Sequence, residues 1–385
     1  MTTIYLIRHA EAEGNLYRRV HGWYDSLVTD NGWQQIAALE KRFDGIQVDA
    51  VYASDLFRTQ ATASAISRSR GLALQIDPGL REINMGDWED QPWGYIHQHE
   101  RDELHRFNAS DPTWRARNGE NLEDIGQRAV RTILQIAQRH PDQTIALFSH
   151  GTAIRQFLAN VKGVAPEDWK DLGHSDNTAV TCLAWDGTRF HIIFESDNSH
   201  LDDSISTLAN QAWWRKGSKA EDVNLWFRPI NWETESRIYL EARREFWLNV
   251  HGPSIPFDGD GFLQAAQTHL AQSPWCVAMA MAMAGEEMVG LLELDLHRFS
   301  EDNSGYIPFC YMTPEHREHS LGVQLIGQAV SIFRPLGRDK LRLRCAPYND
   351  RAQHFYAKYG FKKIGEETGS RVPLDILEKY IGYEW

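Results

Sequence analysis

The stretch Ile4-Tyr5-Leu6-Ile7-Arg8-His9-Ala10-Glu11 decides how this chain is read. Four apolar residues predict a short buried strand. It delivers an Arg-His pair at its carboxyl end, the end of an open α/β sheet where ligands bind. Arginine is a fixed cation whose planar fork suits phosphate oxygens, and a histidine beside it can act as a nucleophile on phosphorus. The dipeptide alone says little, but later strand ends supply partners. Ser54-Asp55-Leu56-Phe57-Arg58-Thr59 follows a second strand and puts Arg58 at the start of a helix, where free backbone N–H groups also favour anions. Residues 80–89 carry Glu82, and a strand over 144–149 leads into His150-Gly151-Thr152.

Composition bounds what can surround such a site. A chain of 385 residues is long for one domain, so two are expected. The formal charge of −13 argues against non-specific nucleic-acid binding. An anion site must then be a local positive cluster in an acidic shell. Cys182, Cys276, Cys310 and Cys345 form no CxxC and read as reduced thiols in a cytoplasmic protein. No signal peptide is expected, because the first apolar run is too short. The apolar run 275–284 is too short to span a bilayer, which needs about 20 residues, and reads as a buried strand.

Along residues 1–205, strands at 3–7, 50–53, 144–149, 180–185 and 190–196 alternate with helices at 30–43, 56–70 and 122–139. That is the pattern of a sheet flanked by helices. Residues 86–119 are aromatic-rich and poorly periodic, an excursion above the sheet. Within it, His97-Gln98-His99-Glu100, with Glu103 and His105, reads as a lid face rather than a metal site. A connector is placed at 206–222. A second alternation covers 223–385: a strand at 224–230, helices at 233–250 and 261–272, and strands at 275–284, 288–297 and 305–312. It continues with helix 321–333, strand 340–346, helix 350–359 and strands 361–367 and 374–381.

The first half resembles the histidine phosphatase (phosphoglycerate mutase-like) superfamily over roughly residues 1–200. The resemblance rests on Arg8-His9-x-Glu11, Asn15, Gly22-Trp23 leading to Leu27 and Gly32, the run from Ser54 through Arg58 to Ala63, and Ser149-His150-Gly151. It implies a three-layer α/β/α fold. It also implies that His9 takes the phosphoryl group, that Arg8, Arg58 and His150 cage its oxygens, and that Glu82 protonates the leaving oxygen. Asn15 and Thr152 join the phosphate-binding set. Fixed cations aimed at the equatorial oxygens lower the barrier to phosphoryl transfer, so no metal is expected. His9 must be neutral to attack and His150 is useful when protonated, so their environments are expected to push the two pKa values apart. The segment 82–89 favours the phosphatase branch over a mutase.

The second half resembles the GNAT family of N-acetyltransferases over roughly 223–385, an α+β fold with a mixed, mostly antiparallel sheet. Met312, Arg317, Glu318, His319, Ser320, Leu321 and Gly322 stand where that family binds the pyrophosphate of acetyl-CoA, its co-substrate. Ser320 replaces the usual first glycine. Asn349, Ala352, Tyr356 and Gly360-Phe361 match a second motif, which implies that Tyr356 protonates the departing thiolate. Glu293 and Asp295 are the candidates for a general base.

Together these readings make a two-domain bifunctional enzyme acting on a small phosphate ester and a small amine, with no nucleic-acid or membrane partner and the oligomeric state open. Its rivals are a phosphatase whose C-terminal module only binds CoA or another ligand, and a non-enzymatic interaction protein. The covalent fusion suggests that the two sites act on one metabolite or on successive intermediates.

Overall fold

The computed structural model describes residues 1–211, 224–283, 285–317, 319–368 and 372–383. The chain divides into two compact units, Met1–Gln91 with His99–Ala220 and Pro92–Gln98 with Glu221–Trp385. Most of the expected connector lies outside the described residues.

The first unit is built on a six-stranded sheet of β1 (Thr2–Arg8), β2 (Ala50–Ala53), β3 (Leu74–Ile76), β4 (Thr144–Ser149), β5 (Val180–Trp185) and β6 (Phe190–Asp197), in the order β3-β2-β4-β1-β5-β6. The four strands β3, β2, β4 and β1 run parallel, and β5 and β6 antiparallel to their neighbours. Helices α1 (Glu13–Tyr17), α2 (Asp30–Arg42), α3 (Phe57–Arg70), α4 (Trp93–His99), α5 (Arg101–Asn108), α6 (Leu122–Arg139), α7 (Gly151–Lys162) and α8 (Thr207–Asn210) fall along the same half of the chain. Strand side chains alternate between faces, and here both faces are buried. Ile7 and Phe148 pack with Leu39, Phe43 and Ile66 of α2 and α3. Ile4, Leu6 and Leu147 pack on the other face with Ile133 and Ile136 of α6 and Phe157 of α7. This is the expected three-layer arrangement. The excursion at 86–119 is partly helical, through α4 and α5, and β3 and α7 were not anticipated.

The site follows from the strand order. Because β2, β4 and β1 are parallel neighbours, with Ala53 opposite Phe148 and Arg8 opposite Ser149, their carboxyl ends lie side by side. The segments after them carry Ser54 and, at the start of α3, Arg58, then His150 and His9.

The second unit contains β7 (Leu225–Pro229), α9 (Trp232–His251), α10 (Gly259–Leu270), β8 (Val277–Ala282), β9 (Met288–Asp295), β10 (Ser304–Met312), α11 (Val323–Phe333), β11 (Lys340–Cys345), α12 (Asp350–Lys358), β12 (Lys362–Thr368) and β13 (Pro373–Tyr380). Its seven-stranded sheet runs β12-β13-β11-β10-β9-β8-β7. Pairing is antiparallel except between β10 and β11, so the sheet is mixed, as expected. Met279 and Met281, alternating along β8, pack into the core with Trp226, Tyr239 and Phe309. The parallel pairing of β10 with β11 covers Ser304–Ile307 and stops there, although β10 continues to Met312.

Candidate active sites

His9 is 3% exposed, at the end of β1. Its Nδ1 lies 2.7 Å from the Ala10 carbonyl. That contact fixes Nδ1 as the N–H donor and leaves the Nε2 lone pair free. The backbone around it is anchored, with the His9 carbonyl accepting from Asn177 Nδ2 at 2.8 Å. Its ring centroid stands 5.1 Å from that of His150 and 5.7 Å from that of His21. Burial, reinforced by Arg58, Arg8 and His21, pushes its pKa well below the ordinary histidine value.

Arg58 is fully buried and is aimed by a loop. Its Nη1 donates to the Tyr24 carbonyl at 3.0 Å, and its Nη2 to the carbonyls of His21 at 3.0 Å and Gly22 at 2.7 Å. Its Nε has no hydrogen-bond partner among the described residues. The loop is clamped in turn by Glu89, whose carboxylate accepts from the backbone N–H of Trp23 and Tyr24 at 2.7 Å each and of Met85 at 2.8 Å. A Cβ on Gly22 would come within 2.2 Å of the Ile83 carbonyl oxygen and 2.5 Å of Glu89 Oε1, so only glycine fits. Arg8 donates through Nη1 to the Ser175 carbonyl, and its buried Nε is also unpartnered.

His150 is fully buried, with Nε2 2.9 Å from Ser54 Oγ and Nδ1 without a partner. Burial first, then Arg58 and the neighbouring histidines, pushes its pKa well below the ordinary value. This corrects the expectation that His9 and His150 would be driven apart. Both share one dry, cationic pocket, so both shift downward and both are neutral at pH 7.

Glu82 sits over the start of α7. Its Oε1 accepts from the N–H of Ile83 at 2.9 Å and Ala153 at 3.0 Å, and its Oε2 from that of Thr152 at 3.0 Å. A carboxylate at a helix N-terminus satisfies donors that have no intrahelical partner. Thr152 therefore meets Glu82 through its backbone. Asn15 Oδ1 accepts from the Ala12 N–H at 3.0 Å, which caps α1. Ser54, His21 and Glu89 are the parts that sequence reasoning left out of the site. Ser54 and Gly22 lie inside the quoted motifs, so their positions carried a signal.

In the second unit, Tyr356 on α12 is 9% exposed, and Cys310 on β10 is among the groups that act on its hydroxyl. Burial, with the two nearby cysteines, pushes its pKa well up. Asn349 caps α12, its Oδ1 accepting from the Ala352 N–H at 3.2 Å. Ser320 has φ +58°, the left-handed region. The serine thus adopts the conformation that favours glycine, at a cost of about 1–2 kcal/mol. Arg317 is engaged within the protein: Nε donates to the Met312 carbonyl at 3.0 Å and Nη2 to Glu245 at 2.7 Å. His319, Leu321 and Gly322 complete the turn into α11, and Glu318 lies outside the described residues. The left-handed turn leads directly into the start of α11, and β10 has by then parted from β11.

Glu293 is not available as a base. It is fully buried, accepts from the Tyr239 hydroxyl at 2.9 Å, pairs with Arg243, and lies 2.7 Å from His269 Nδ1. Burial alone would raise its pKa, but Arg243 and His269 outweigh it and hold the carboxyl below its usual range. His269 Nε2 lies 3.3 Å from Asp295 Oδ2, so both candidate acids belong to one buried network that ties α9 and α10 to β9. Among the described residues no group of three or more His, Cys, Asp or Glu side chains could hold a metal ion, and no helix is long and apolar enough to cross a membrane.

Fold and site define a two-domain α/β protein whose first unit gathers buried arginines and histidines at the carboxyl ends of parallel strands. The histidine phosphatase superfamily (branch 1) matches residues 4–198, and the acetyltransferase (GNAT) family matches residues 232–361. The chain belongs to the histidine phosphatase superfamily and carries a GNAT domain behind it. It is similar to a protein named probable phosphoglycerate mutase GpmB. In Erwinia tasmaniensis the identity is 29% over 53% of this chain and 97% of the relative; in Yersinia pestis it is 30% over 43% and 76%. Among solved structures, YhfR of Bacillus stearothermophilus is 32% identical with a TM-score of 0.51, covering 52% of this chain and all of the other.

Proposed function

We propose that the first unit hydrolyses phosphate monoesters through a phosphohistidine at His9. The observation that carries this is the combination at His9: a free Nε2, a neutral ring, and two nearby arginines, Arg8 and Arg58, whose Nε groups are buried and unpartnered. An unpaired buried donor is costly, and phosphate oxygens are the partner that suits two such groups at once. Nε2 of His9 attacks phosphorus as the ester P–O bond breaks. Arg8, Arg58 and His150 take up charge on the three oxygens, and Glu82 gives its proton to the leaving oxygen through Oε2. Water then attacks the phosphohistidine, returning a proton to Glu82 and releasing phosphate. Asn15, with its Oδ1 committed, offers its Nδ2 to the phosphate.

For the second unit we propose acetyl transfer from acetyl-CoA to a small amine. Acetyl-CoA supplies the activated acyl group. The chain contributes the Ser320–Gly322 turn and the α11 start for the pyrophosphate, and Tyr356 to protonate the departing thiolate. The engagement of Arg317 by Glu245 and the strained Ser320 favour a second reading, a module that binds CoA without turnover.

Incubation with a chromogenic phosphate ester, followed by acid-labile phosphate analysis of the quenched protein, tests the first reading. Phosphate should be trapped on wild type and be lost in His9→Ala. A His9→Ala variant within about tenfold of wild type, ~1.4 kcal/mol of barrier, would sink it. Release of free thiol from acetyl-CoA in an amine screen separates turnover from mere binding in the second unit.

A further inference from the structure

Arg155 lies on α7, five residues beyond His150 and three beyond Thr152. Residues three apart share a helical face, and the Thr152 N–H already binds Glu82. The positive charge of Arg155 acts on both Glu82 and Arg8. Yet its Nε is shielded from solvent with no hydrogen-bond partner, and no carboxylate among the described residues pairs with it. A buried donor left without an acceptor is unfavourable, and nothing in the hydrolytic step proposed above uses this half-buried residue.

A cleft opens beside this residue. Its walls include Arg155, Ser175, Gly173, Leu172, Lys162 and Glu195. Ser175 is the residue whose carbonyl holds Arg8, so the cleft adjoins the phosphate cage. Lys162 and Glu195 pair with each other at 2.8 Å and offset one another. Arg155 is left as the uncompensated charge among the lining residues.

Direction follows from the chemistry. If Glu82 protonates the leaving oxygen, the alcohol part of the ester departs beside Glu82, whose charge Arg155 feels from the first turns of α7. We infer that Arg155 reads the alcohol part of the substrate, selecting phosphate monoesters that carry a second anionic group, carboxylate or phosphate, seated in the cleft beside Arg8. This rests on the phosphatase reading above. A planar fork can take either anion in bidentate fashion.

The test compares matched esters on the full-length protein. 3-Phosphoglycerate is set against glycerol 3-phosphate for the carboxylate, and 1,3-propanediol bisphosphate against 3-hydroxypropyl phosphate for the second phosphate. Wild type should favour the anionic member of at least one pair by tenfold or more in kcat/KM, and which pair does so identifies the anion. Arg155→Met should collapse that ratio to within about twofold of unity, mainly through KM. Arg155→Lys, which keeps the charge without the fork, should retain an intermediate ratio and guards against misfolding of the Met variant. Binding of the same pairs to His9→Ala by calorimetry gives the ratio without turnover. A wild-type ratio near unity for both pairs, or a ratio unmoved by Arg155→Met, overturns the assignment while phosphatase activity stands. Failure of wild type to hydrolyse any ester overturns the phosphatase reading itself.

Discussion

Ser54 Oγ and His150 Nε2 stand 2.9 Å apart at the ends of β2 and β4. The contact is fully buried, and it leaves the Nδ1 of His150 buried without a partner. Ser54 is itself held by Thr59, 2.7 Å away. The serine thus orients the imidazole for a phosphate oxygen. Ser54→Ala should lower kcat about tenfold, ~1.4 kcal/mol, with a smaller change in KM. Equal losses in both, or none, would show that the serine only fills space.

Acid should weaken the first unit through its histidines. His9, His21 and His150 all have pKa values well below the ordinary 6.5, from burial first and neighbouring arginines second. Their unfolded forms titrate near 6.5, so below that pH the unfolded chain binds more protons than the folded one. Stability is therefore full above about pH 6.5 and falls as pH drops through it, by at most ~1.4 kcal/mol per pH unit for each group. Inorganic phosphate should counteract the loss, because a bound anion favours the protonated rings. Apparent urea midpoints at pH 7.5, 6.0 and 5.0, with and without phosphate, check this; a flat profile would contradict it.

Gly22→Ala should disable the cage. The added methyl meets the Ile83 carbonyl and the Glu89 carboxylate, both tied into the loop that aims Arg58. Overpacking of this kind costs about 1–3 kcal/mol. The displaced arginine should cost about 10²-fold in kcat, as for loss of one preorganised donor. Thermal unfolding and steady-state kinetics on the same preparation separate the two effects. Wild-type kinetics in the variant would mean that Arg58 does not depend on this loop.

Glu245→Ala should tighten CoA binding. Arg317 is paired with Glu245 at 2.7 Å, and both are partly exposed. Such a pair contributes at most about 1 kcal/mol, so freeing Arg317 for a pyrophosphate should improve Kd by up to about fivefold. Calorimetric titration with CoA measures it. Weaker binding would place Arg317 outside the ligand's reach.

Tyr356→Phe should slow acetyl transfer while leaving CoA affinity within about twofold, since it removes a proton donor and little contact area. Cys310 contributes to the raised pKa of the phenol, so Cys310→Ala should shift the alkaline limb of the rate profile. A rate unchanged in both variants would assign the pair to packing.

The sequence by itself determined the two-unit architecture and most of its elements. Strand and helix periods are local properties, so β2, β4, β5 and α6 could be read to the residue. The candidate cage residues were legible as motifs near strand ends: Arg8 closes β1, His9 and His150 directly follow β1 and β4, and Arg58 opens the helix after β2. β3 and α7 were missed: one is only three residues long and the other starts directly after His150 with a polar Gly151-Thr152 that hid its period. Tertiary structure alone decided the electrostatics. Whether two histidines titrate apart or together depends on shared burial, which no spacing encodes. The same holds for Glu293, which reads as a free acid along β9 and becomes an inaccessible ion-pair member only because α9 and α10 bring Arg243, Tyr239 and His269 onto it. Arg155 gave no sequence signal either. Its meaning lies in the absence of a partner beside Glu82 and Arg8, a property of three-dimensional packing.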